Sequence, residues 1–210
     1  MTNDYTTSTD AFADIPEGNY SSSDFPSMAS FVTAASRLID REVGRWDGFF
    51  YPTTDSVDWY YDGSGELEQE IDEFVSISAI AVSEEGSISS SDYTSWTLNT
   101  DYVTKPYNAS GKGRPINRLE VVRFNGTKPV WYGYQKSVKV TGISGWSTTT
   151  PDVVAQACKM QAVRWFMRAK QGYQDTGASL DIGGLSFSKK LELDPDVRQL
   201  LWHLKLELDR

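Results

Sequence analysis

The repeat of apolar residues changes twice along this chain, and these changes constrain the fold more than any other feature. Residues 26–46 place apolar side chains at helical spacing, namely Met28, Phe31, Ala35, Leu38, Ile39 and Trp46. Residues 49–146 alternate between apolar and polar side chains, which is typical of half-buried strands. Helical spacing then returns. We therefore predict an α+β fold with a helical core of three main helices and an antiparallel β region inserted between helix one and helix two.

Proline marks the starts of the second and third helices. Thr150 is a suitable N-cap before Pro151, and Asp194 stands in the same relation to Pro195. The resulting domain organisation has four predicted parts. They are an acidic polar N-terminal arm at 1–25, a single domain at 26–210, its β insertion at about 50–146, and its C-terminal helical segment at 194–208.

Turn residues divide the β region into strands. The stretch Asp62–Gly65 predicts a turn between two extended runs, and the pair Asn125 and Gly126 predicts a hairpin. One long run alternates strictly, so its apolar members are expected to share one face: Val75, Ile77, Ala79 and Ala81. The whole pattern predicts about five or six antiparallel strands.

The N-terminal arm is rich in Ser, Thr and Asp and carries five acidic residues but no basic one. Such a composition cannot bury enough apolar surface to order a chain by itself. If the arm is ordered, we expect something outside the domain to hold it. Its polar start lacks the pattern of a signal peptide, and no stretch is apolar enough for a membrane span.

Charge is divided unevenly along the sequence. Residues 1–104 hold 3 basic and 20 acidic side chains, whereas residues 105–190 hold 14 basic and 4 acidic ones. Such asymmetry indicates a charged partner, either nucleic acid or a second copy of the chain. The net charge of -9 argues against tight general nucleic-acid binding. We predict an inter-subunit contact in which acids of one copy face bases of the next: Glu66, Glu68, Glu70 and Asp72 opposite Arg114 and Arg118.

No residue pattern indicates catalysis. The chain has one histidine, His203, and one cysteine, Cys158, and it lacks the common nucleophile, phosphate-loop and zinc motifs. Asp62 begins a stretch that imitates a calcium loop, but Leu67 stands where that loop needs glycine. We therefore predict a protein that is not an enzyme and that needs no cofactor or metal.

A β-rich carbohydrate- or receptor-binding module is the alternative function. Aromatic side chains of the β region could form a platform on which sugars stack. They are Trp59, Tyr60, Tyr61, Trp96, Trp131, Tyr132 and Tyr134. Neighbours along a strand point to opposite faces, so at most half of each run is available for a ligand. Packing in the core or at a subunit interface is the competing explanation.

Five segments between Met28 and Leu206 occur in a characteristic order. They read FVTAASRLIDREVGRWDGFFYP, YYDGSGELEQEIDEFVSISAIAVSEEG, LNTDYVTKPYN with RPINRLEV, VKVTGISGW with TPDVVAQACKMQAVRWFMRAK, and LDPDVRQLLWHLKL. In this order they resemble the tailed-phage head–tail connector proteins of the adaptor family, which bind beneath the portal. The chain differs from that family by its longer acidic arm and its large β insertion.

The resemblance implies a structural protein of the virion neck, made in the host cytoplasm. It implies a homo-oligomeric ring, usually a dodecamer, docked between the portal protein and a stopper or tail-completion protein, with DNA only in transit through the channel. By analogy with the family, the C-terminal segment would bind the portal through Trp202, His203 and Leu206. The loop with Gly183, Gly184, Lys189 and Lys190 would face the channel or a partner.

Overall fold

The computed structural model describes residues 3–16, 19–86, 92–124, 126–170 and 193–205. The chain divides into two compact units. A helical unit combines Met1–Phe50 with Thr150–Arg210, and a sheet unit consists of Tyr51–Thr149. This division follows the two changes of apolar repeat in the sequence, because helices and strands bury their apolar faces in different layers. The predicted α+β class, with a sheet inserted between helix one and helix two, is confirmed.

Within the described residues, the helical unit contains four α-helices and two short 3-10 helices. The α-helices are α1 (Ser8–Phe12), α2 (Phe25–Glu42), α3 (Asp152–Lys170) and α4 (Pro195–Leu201), and the 3-10 turns are Ser22–Asp24 and Trp202–Leu204. The backbone N–H of Asp196 donates to the Asp194 carboxylate at 3.4 Å, which caps α4 as predicted. Helices α2, α3 and α4 are the three predicted helices, whereas α1 lies in the arm and was not predicted.

Buried side chains from three helices form the core of the helical unit. They include Met28, Val32, Ala35 and Ile39 of α2, Val154, Ala157, Ala162 and Phe166 of α3, and Val197 and Leu201 of α4. Each large apolar side chain buried here stabilises the unit by about 1.5–3 kcal/mol. The buried face of α2 differs from the predicted stripe, because it includes the polar residues Ser36 and Asp40. Trp46, which belongs to that stripe, remains 38% exposed.

The N-terminal segment packs inside the helical unit. Tyr5, Ala11, Phe12 and Ile15 are buried, and α1 is capped by Thr7, whose side chain accepts the Asp10 N–H. Four apolar side chains in a short polar segment are enough to attach it, although they are too sparse to form a core of their own. The segment thus finds its partners within its own chain, in contrast to the expectation that something outside would hold it.

The sheet unit is a six-stranded antiparallel sheet. Its strands are β1 (Val57–Tyr61), β2 (Glu68–Ser83), β3 (Tyr93–Trp96), β4 (Tyr102–Lys105), β5 (Ile116–Val121) and β6 (Val138–Ser144). The strand order is β1-β6-β2-β5-β4, and β3 also pairs with β2. Every pairing between named strands is antiparallel. The number of strands therefore agrees with the prediction from alternation and turn residues.

Two irregularities in β2 change which of its side chains face the core. The register of β2 against β6 shifts between Phe74 and Ser76, and it shifts again between Ile77 and Ala79. Each extra residue of a bulge reverses the alternation that follows it. Phe74 and Ile80 are therefore buried, Ile77 packs against the same core, and Ala79 is exposed. The prediction that Ala79 shares a buried face with Ile77 is wrong for this reason.

The hairpin predicted at Asn125 and Gly126 is also wrong. Strand β5 pairs with β2 and β4 rather than with a following strand, and residues 126–137 contain no strand, while Asn125 lies outside the described residues. This stretch instead supplies Trp131, which is fully buried and stacks on Trp96 at 4.6 Å between ring centroids. Its indole N–H donates to the Leu67 carbonyl at 3.2 Å. The stretch after Gly126 therefore fills the core with one large aromatic instead of forming a second hairpin strand.

Candidate functional site

We name residues 3–16 the N-terminal strap, and its first anchor is Tyr5. The Tyr5 hydroxyl donates to the carboxylate of Asp40, which also accepts the Gly48 N–H at 2.9 Å. The Phe50 N–H donates to the Tyr5 hydroxyl oxygen at 3.2 Å, and the Tyr5 N–H donates to the Ser36 hydroxyl at 3.1 Å. These bonds explain why α2 keeps two polar residues on its buried face.

Burial controls the ionisation of this anchor. The Asp40 side chain has no exposed surface, and burial raises the pKa of Asp40 to about 6. Hydrogen bonds from Tyr5 and Gly48, and the Arg37 guanidinium 3.4 Å away, favour the charged form but do not cancel that effect. Burial, followed by the charge of Asp40, also raises the pKa of Tyr5, so the phenol remains a hydrogen-bond donor at neutral pH.

The second anchor of the strap is the ring of Phe12. It stacks on Tyr20 at 4.4 Å between centroids, and it also meets Phe25 at 4.7 Å and Phe166 of α3 at 5.2 Å. Aromatic pairs at such distances add about 0.5–1.5 kcal/mol each beyond the burial of their area. The strap is therefore joined to α2 at one position and to α3 at another.

Acidic residues before α2 pair with basic residues of α3. Asp14 lies 2.9 Å from the Lys159 ammonium, and Asp24 lies 2.8 Å from that of Lys170. The Lys170 hydrogen bond lowers the pKa of Asp24. Part of the charge asymmetry of the sequence is thus neutralised within one chain, because the acidic arm lies against the basic helix.

A network of charged residues covers one end of the sheet. Glu68 lies 3.2 Å from the Lys105 ammonium and 3.1 Å from the Arg118 guanidinium, and Arg118 is 3.9 Å from Glu70. Lys105 also reaches Glu120 at 2.5 Å. The Glu120 hydrogen bond, together with that of Glu68, raises the pKa of Lys105, and the Lys105 bond lowers the pKa of Glu68. Lys105 therefore stays charged in this network.

Three of the six predicted inter-subunit residues, Glu68, Glu70 and Arg118, belong to this network within one chain. The other three lie apart from it. Asp72 accepts the Tyr61 hydroxyl at 3.0 Å, while Glu66 and Arg114 are exposed. Among the residues that the structure describes, neither Glu66 nor Arg114 forms an ion pair, so both keep their charge available for another molecule.

The C-terminal helix leaves one large aromatic side chain in solvent. Trp202 is 70% exposed and His203 is exposed, whereas Leu204 turns back into the core. Lys205 lies 2.7 Å and Arg198 3.0 Å from Glu42 of α2, and these contacts fasten the helix to the unit. The third predicted portal-binding residue, Leu206, lies outside the described residues. So do the predicted channel-loop residues Gly183, Gly184, Lys189 and Lys190.

Most of the predicted aromatic platform is in the core. Trp96 and Trp131 are buried, and Trp59, Tyr61 and Tyr132 pack partly buried against the same cluster. Only two of the seven aromatics stay largely exposed, and these are Tyr60 and Tyr134. Tyr107, outside the predicted set, is 60% exposed and lies 5.7 Å from the Lys105 ammonium. Burial of the tryptophans thus explains the high aromatic content better than a sugar platform does.

The lone cysteine and the acidic residues form no reactive centre in the part of the chain that the structure describes. Cys158 is fully buried, and burial raises the pKa of its thiol to about 11. Within residues 3–16, 19–86, 92–124, 126–170 and 193–205, no group of three His, Cys, Asp or Glu side chains could hold a metal ion. None of the described helices is long and apolar enough to cross a membrane.

Comparison with solved structures gives the decisive observation about the fold. The chain superposes with a TM-score of 0.51 and 12% sequence identity on a chain in the neck of an empty gene transfer agent (GTA) particle, computed with C6 symmetry. The match covers 96% of this chain and 89% of that one. The chain shares the fold of a GTA neck chain.

A second solved structure supports the same conclusion. A chain in the virion of the native gene transfer agent particle has a TM-score of 0.51 and 11% identity, again over 96% of this chain and 89% of that chain. No protein-family model matches the sequence, and no curated protein matches it. The likeness is therefore one of fold, including both the helical unit and the inserted sheet.

Proposed function

We propose that this chain is a structural, non-enzymatic protein of a phage-like neck. Its place is a ring beneath the portal that joins the DNA-filled capsid to a stopper or tail-completion protein and lets DNA pass. The observation that carries the proposal is the shared fold over 96% of the chain with a chain in a neck of C6 symmetry. The sequence resemblance to head–tail adaptors points to the same location in the virion, and to a twelvefold ring.

A ring of identical subunits requires two different surfaces on each copy, since head-to-tail contacts are heterologous. The sheet unit offers one candidate pair. Arg114 is an exposed base and Glu66 an exposed acid, and neither forms an ion pair within the described residues. We infer that such unpaired charges, rather than Glu68, Glu70 and Arg118, contribute most of the electrostatic attraction between copies, because those three already satisfy each other.

The portal-binding surface in this proposal is the C-terminal segment. Trp202 is held in solvent at the end of α4 while Leu201 and Leu204 anchor the helix, so the indole is presented on a fixed support. Tryptophan is enriched among the residues that dominate binding energy at protein interfaces. His203 is exposed beside it, and Leu206 would extend the same segment.

Reconstitution with the portal tests the proposal. The purified chain is mixed with the portal ring from the same genome, and bound material is recovered by co-sedimentation and viewed by negative-stain electron microscopy. A collar on one end of the portal is the expected result. A portal of verified ring shape that binds no subunit would reject the adaptor assignment.

Carbohydrate binding is the second candidate function, and exposed tyrosines are the observation in its favour. Tyr60, Tyr107 and Tyr134 are each between 47% and 60% exposed, and tyrosine rings stack readily on sugars. Specific signals on a glycan array that disappear in Tyr60→Ala and Tyr134→Ala variants would favour this candidate. An adaptor gives no such signal.

A further inference from the structure

The strap is attached almost entirely to parts of the chain that are distant in sequence. Its hydrogen bonds to α2 and to the turn after it join residues 29 to 45 positions apart: Thr33 to Asp4, Tyr5 to Ser36, Asn3 to Arg37, Tyr5 to Asp40 and Phe50 to Tyr5. Its ion pair with Lys159 reaches α3, still farther along the chain. These contacts define a docking groove on α2 and α3, with the strap as its ligand.

The groove recognises the strap through three different kinds of contact. At one end Ser36 and Asp40 bind the backbone and hydroxyl of Tyr5. Further along, Phe166 receives the ring of Phe12, and Lys159 pairs with Asp14 at 2.9 Å. The groove therefore offers a hydrogen-bonding end, an apolar contact and a cation in an order that matches the strap sequence. Every copy of the chain carries both the strap and the groove, so the groove of one copy can bind the strap of another.

The direction of the strap allows it to reach another copy. Tyr5 contacts the C-terminal half of α2, whereas Phe12 contacts Phe25, the first residue of α2, so the strap runs back along the helix from its own connection. The covalent connection between the strap and α2 runs through residues 17–24. Fully extended, the chain from Pro16 to Ser22 alone spans about 20–22 Å, far enough to place the strap on a subunit in contact.

Docking of the strap carries costs that make it reversible, whichever copy supplies the strap. Asp40 is a carboxylate without exposed surface, and ionising it there is unfavourable. One carboxylate oxygen of Asp4, Oδ1, is buried and accepts no hydrogen bond from any described residue. The rest of the strap is acidic and polar, so leaving the groove exposes only four apolar side chains: Tyr5, Ala11, Phe12 and Ile15.

We propose that the strap is exchanged between neighbouring copies in the assembled ring, each groove holding the strap of the adjacent subunit. This inference rests on the proposed ring function. Exchange adds no contact that the single chain lacks, yet it fastens each copy to the next, which is why swapped elements are a low-cost route to oligomers. Neighbours in a ring face each other at effective concentrations on the order of millimolar, so a neighbour's strap can compete with the chain's own strap in a way that a strap from a free copy cannot.

Two cysteine pairs in the full-length protein distinguish exchange from docking within one chain. Asp14→Cys with Lys159→Cys joins the strap to α3 across the link. Asp24→Cys with Lys170→Cys is the matched control, because Asp24 directly precedes α2 and remains with its own helices in either arrangement. Both positions are surface ion pairs, whose loss costs little stability. A short bismaleimide joins the thiols, and denaturing electrophoresis separates the products.

Unassembled protein of either pair is expected to give linked monomers only. Rings bound to the portal are expected to give a ladder of linked dimers and larger products from the Asp14 and Lys159 pair. That ladder should exceed the control by about tenfold or more, as the local concentration of grooves predicts. Each single-cysteine parent reports linkage through Cys158, which is buried and should be silent.

The outcomes separate the two proposals. Rings that form on the portal but yield only linked monomers from both pairs overturn strap exchange and leave the adaptor function standing. Failure of the unsubstituted chain to form rings on a well-formed portal overturns the adaptor function, and strap exchange falls with it. A ladder from the control pair as well would show nonspecific linkage between subunits, and strap exchange would then be rejected.

Discussion

Replacing Tyr5 with phenylalanine removes one hydroxyl group from the strap and leaves its ring in place. The hydroxyl donates to Asp40 and accepts from the Phe50 N–H, so two buried groups lose a partner in Tyr5→Phe. A hydrogen bond to a charged group contributes about 1.5–3 kcal/mol, and an unsatisfied buried N–H costs about 1–3 kcal/mol. Because both effects arise from the same hydroxyl and are not fully additive, we expect a total loss of about 2–4 kcal/mol at pH 8.

The single thiol provides the assay. Cys158 is buried beside Ser36, 3.3 Å from its hydroxyl, and Ser36 also accepts the Tyr5 N–H, so the thiol becomes reactive only when this part of the unit opens. Labelling with 4,4′-dithiodipyridine at pH 8 measures the opening equilibrium. The expected loss corresponds to labelling about 30- to several-hundred-fold faster than in the unsubstituted protein.

The pH dependence and a matched substitution make this test strict. At pH 5 Asp40 is largely protonated, since its pKa is about 6, and the loss of a donor then matters less. The ratio of the two labelling rates should fall toward about tenfold. Tyr20→Phe is the control, because Tyr20 packs on Phe12 while its hydroxyl has no hydrogen-bond partner among the described residues. Equal labelling rates for both variants at pH 8 would refute the role assigned to the Tyr5 hydroxyl.

Four further predictions concern other parts of the molecule. The pKa of Asp40 is about 6 in the fold, against an ordinary aspartate value of 3.8. Protonation of Asp40 therefore stabilises the helical unit by up to about 3 kcal/mol. This contribution is fully present below about pH 4 and disappears as the pH rises through 6. Asp40→Asn should abolish the difference in urea midpoint between pH 4 and pH 7 that this group causes. Gly142→Ala places a Cβ 2.4 Å from a β2 carbonyl oxygen and should cost about 2–4 kcal/mol in urea unfolding followed by tryptophan fluorescence, whereas Gly111→Ala, with no atom within 4 Å, should be neutral. Trp202→Ala should change the thermal midpoint little but weaken portal binding in co-sedimentation by about tenfold or more. Arg114→Glu should weaken ring formation at 50 mM salt more than at 500 mM salt by analytical ultracentrifugation, and the same effect at both concentrations would contradict an electrostatic contact.

Sequence reasoning succeeded where local chemistry decides the structure. Proline located the starts of α3 and α4 to within one residue, and at α4 the predicted Asp194 cap is present, since these residues act within a single turn of helix. The class of the inserted region followed from alternation, which any half-buried antiparallel strand shows. Neither conclusion needed knowledge of distant contacts.

The failures arose where distant residues decide. Nothing in the local sequence of β2 marks the positions of its two bulges, because they fit its register to β6, more than 60 residues away. The strap was missed because only four scattered apolar residues bind to a face built by α2 and α3: Tyr5, Ala11, Phe12 and Ile15. Ser36 and Asp40, polar residues in phase with the apolar stripe of α2, are the signal in the sequence that a polar segment covers that face.

The pairing of β1 with β6 has a consequence for how this protein can vary. Val57 lies opposite Gly142, so the polypeptide enters and leaves the sheet on adjacent strands. Antiparallel neighbours lie about 4.7–5.5 Å apart, a gap that a tight turn can close. The inserted sheet thus has the topology of an enlarged loop. It can be lengthened, replaced or deleted during evolution without changing the order or connections of the helices that precede and follow it.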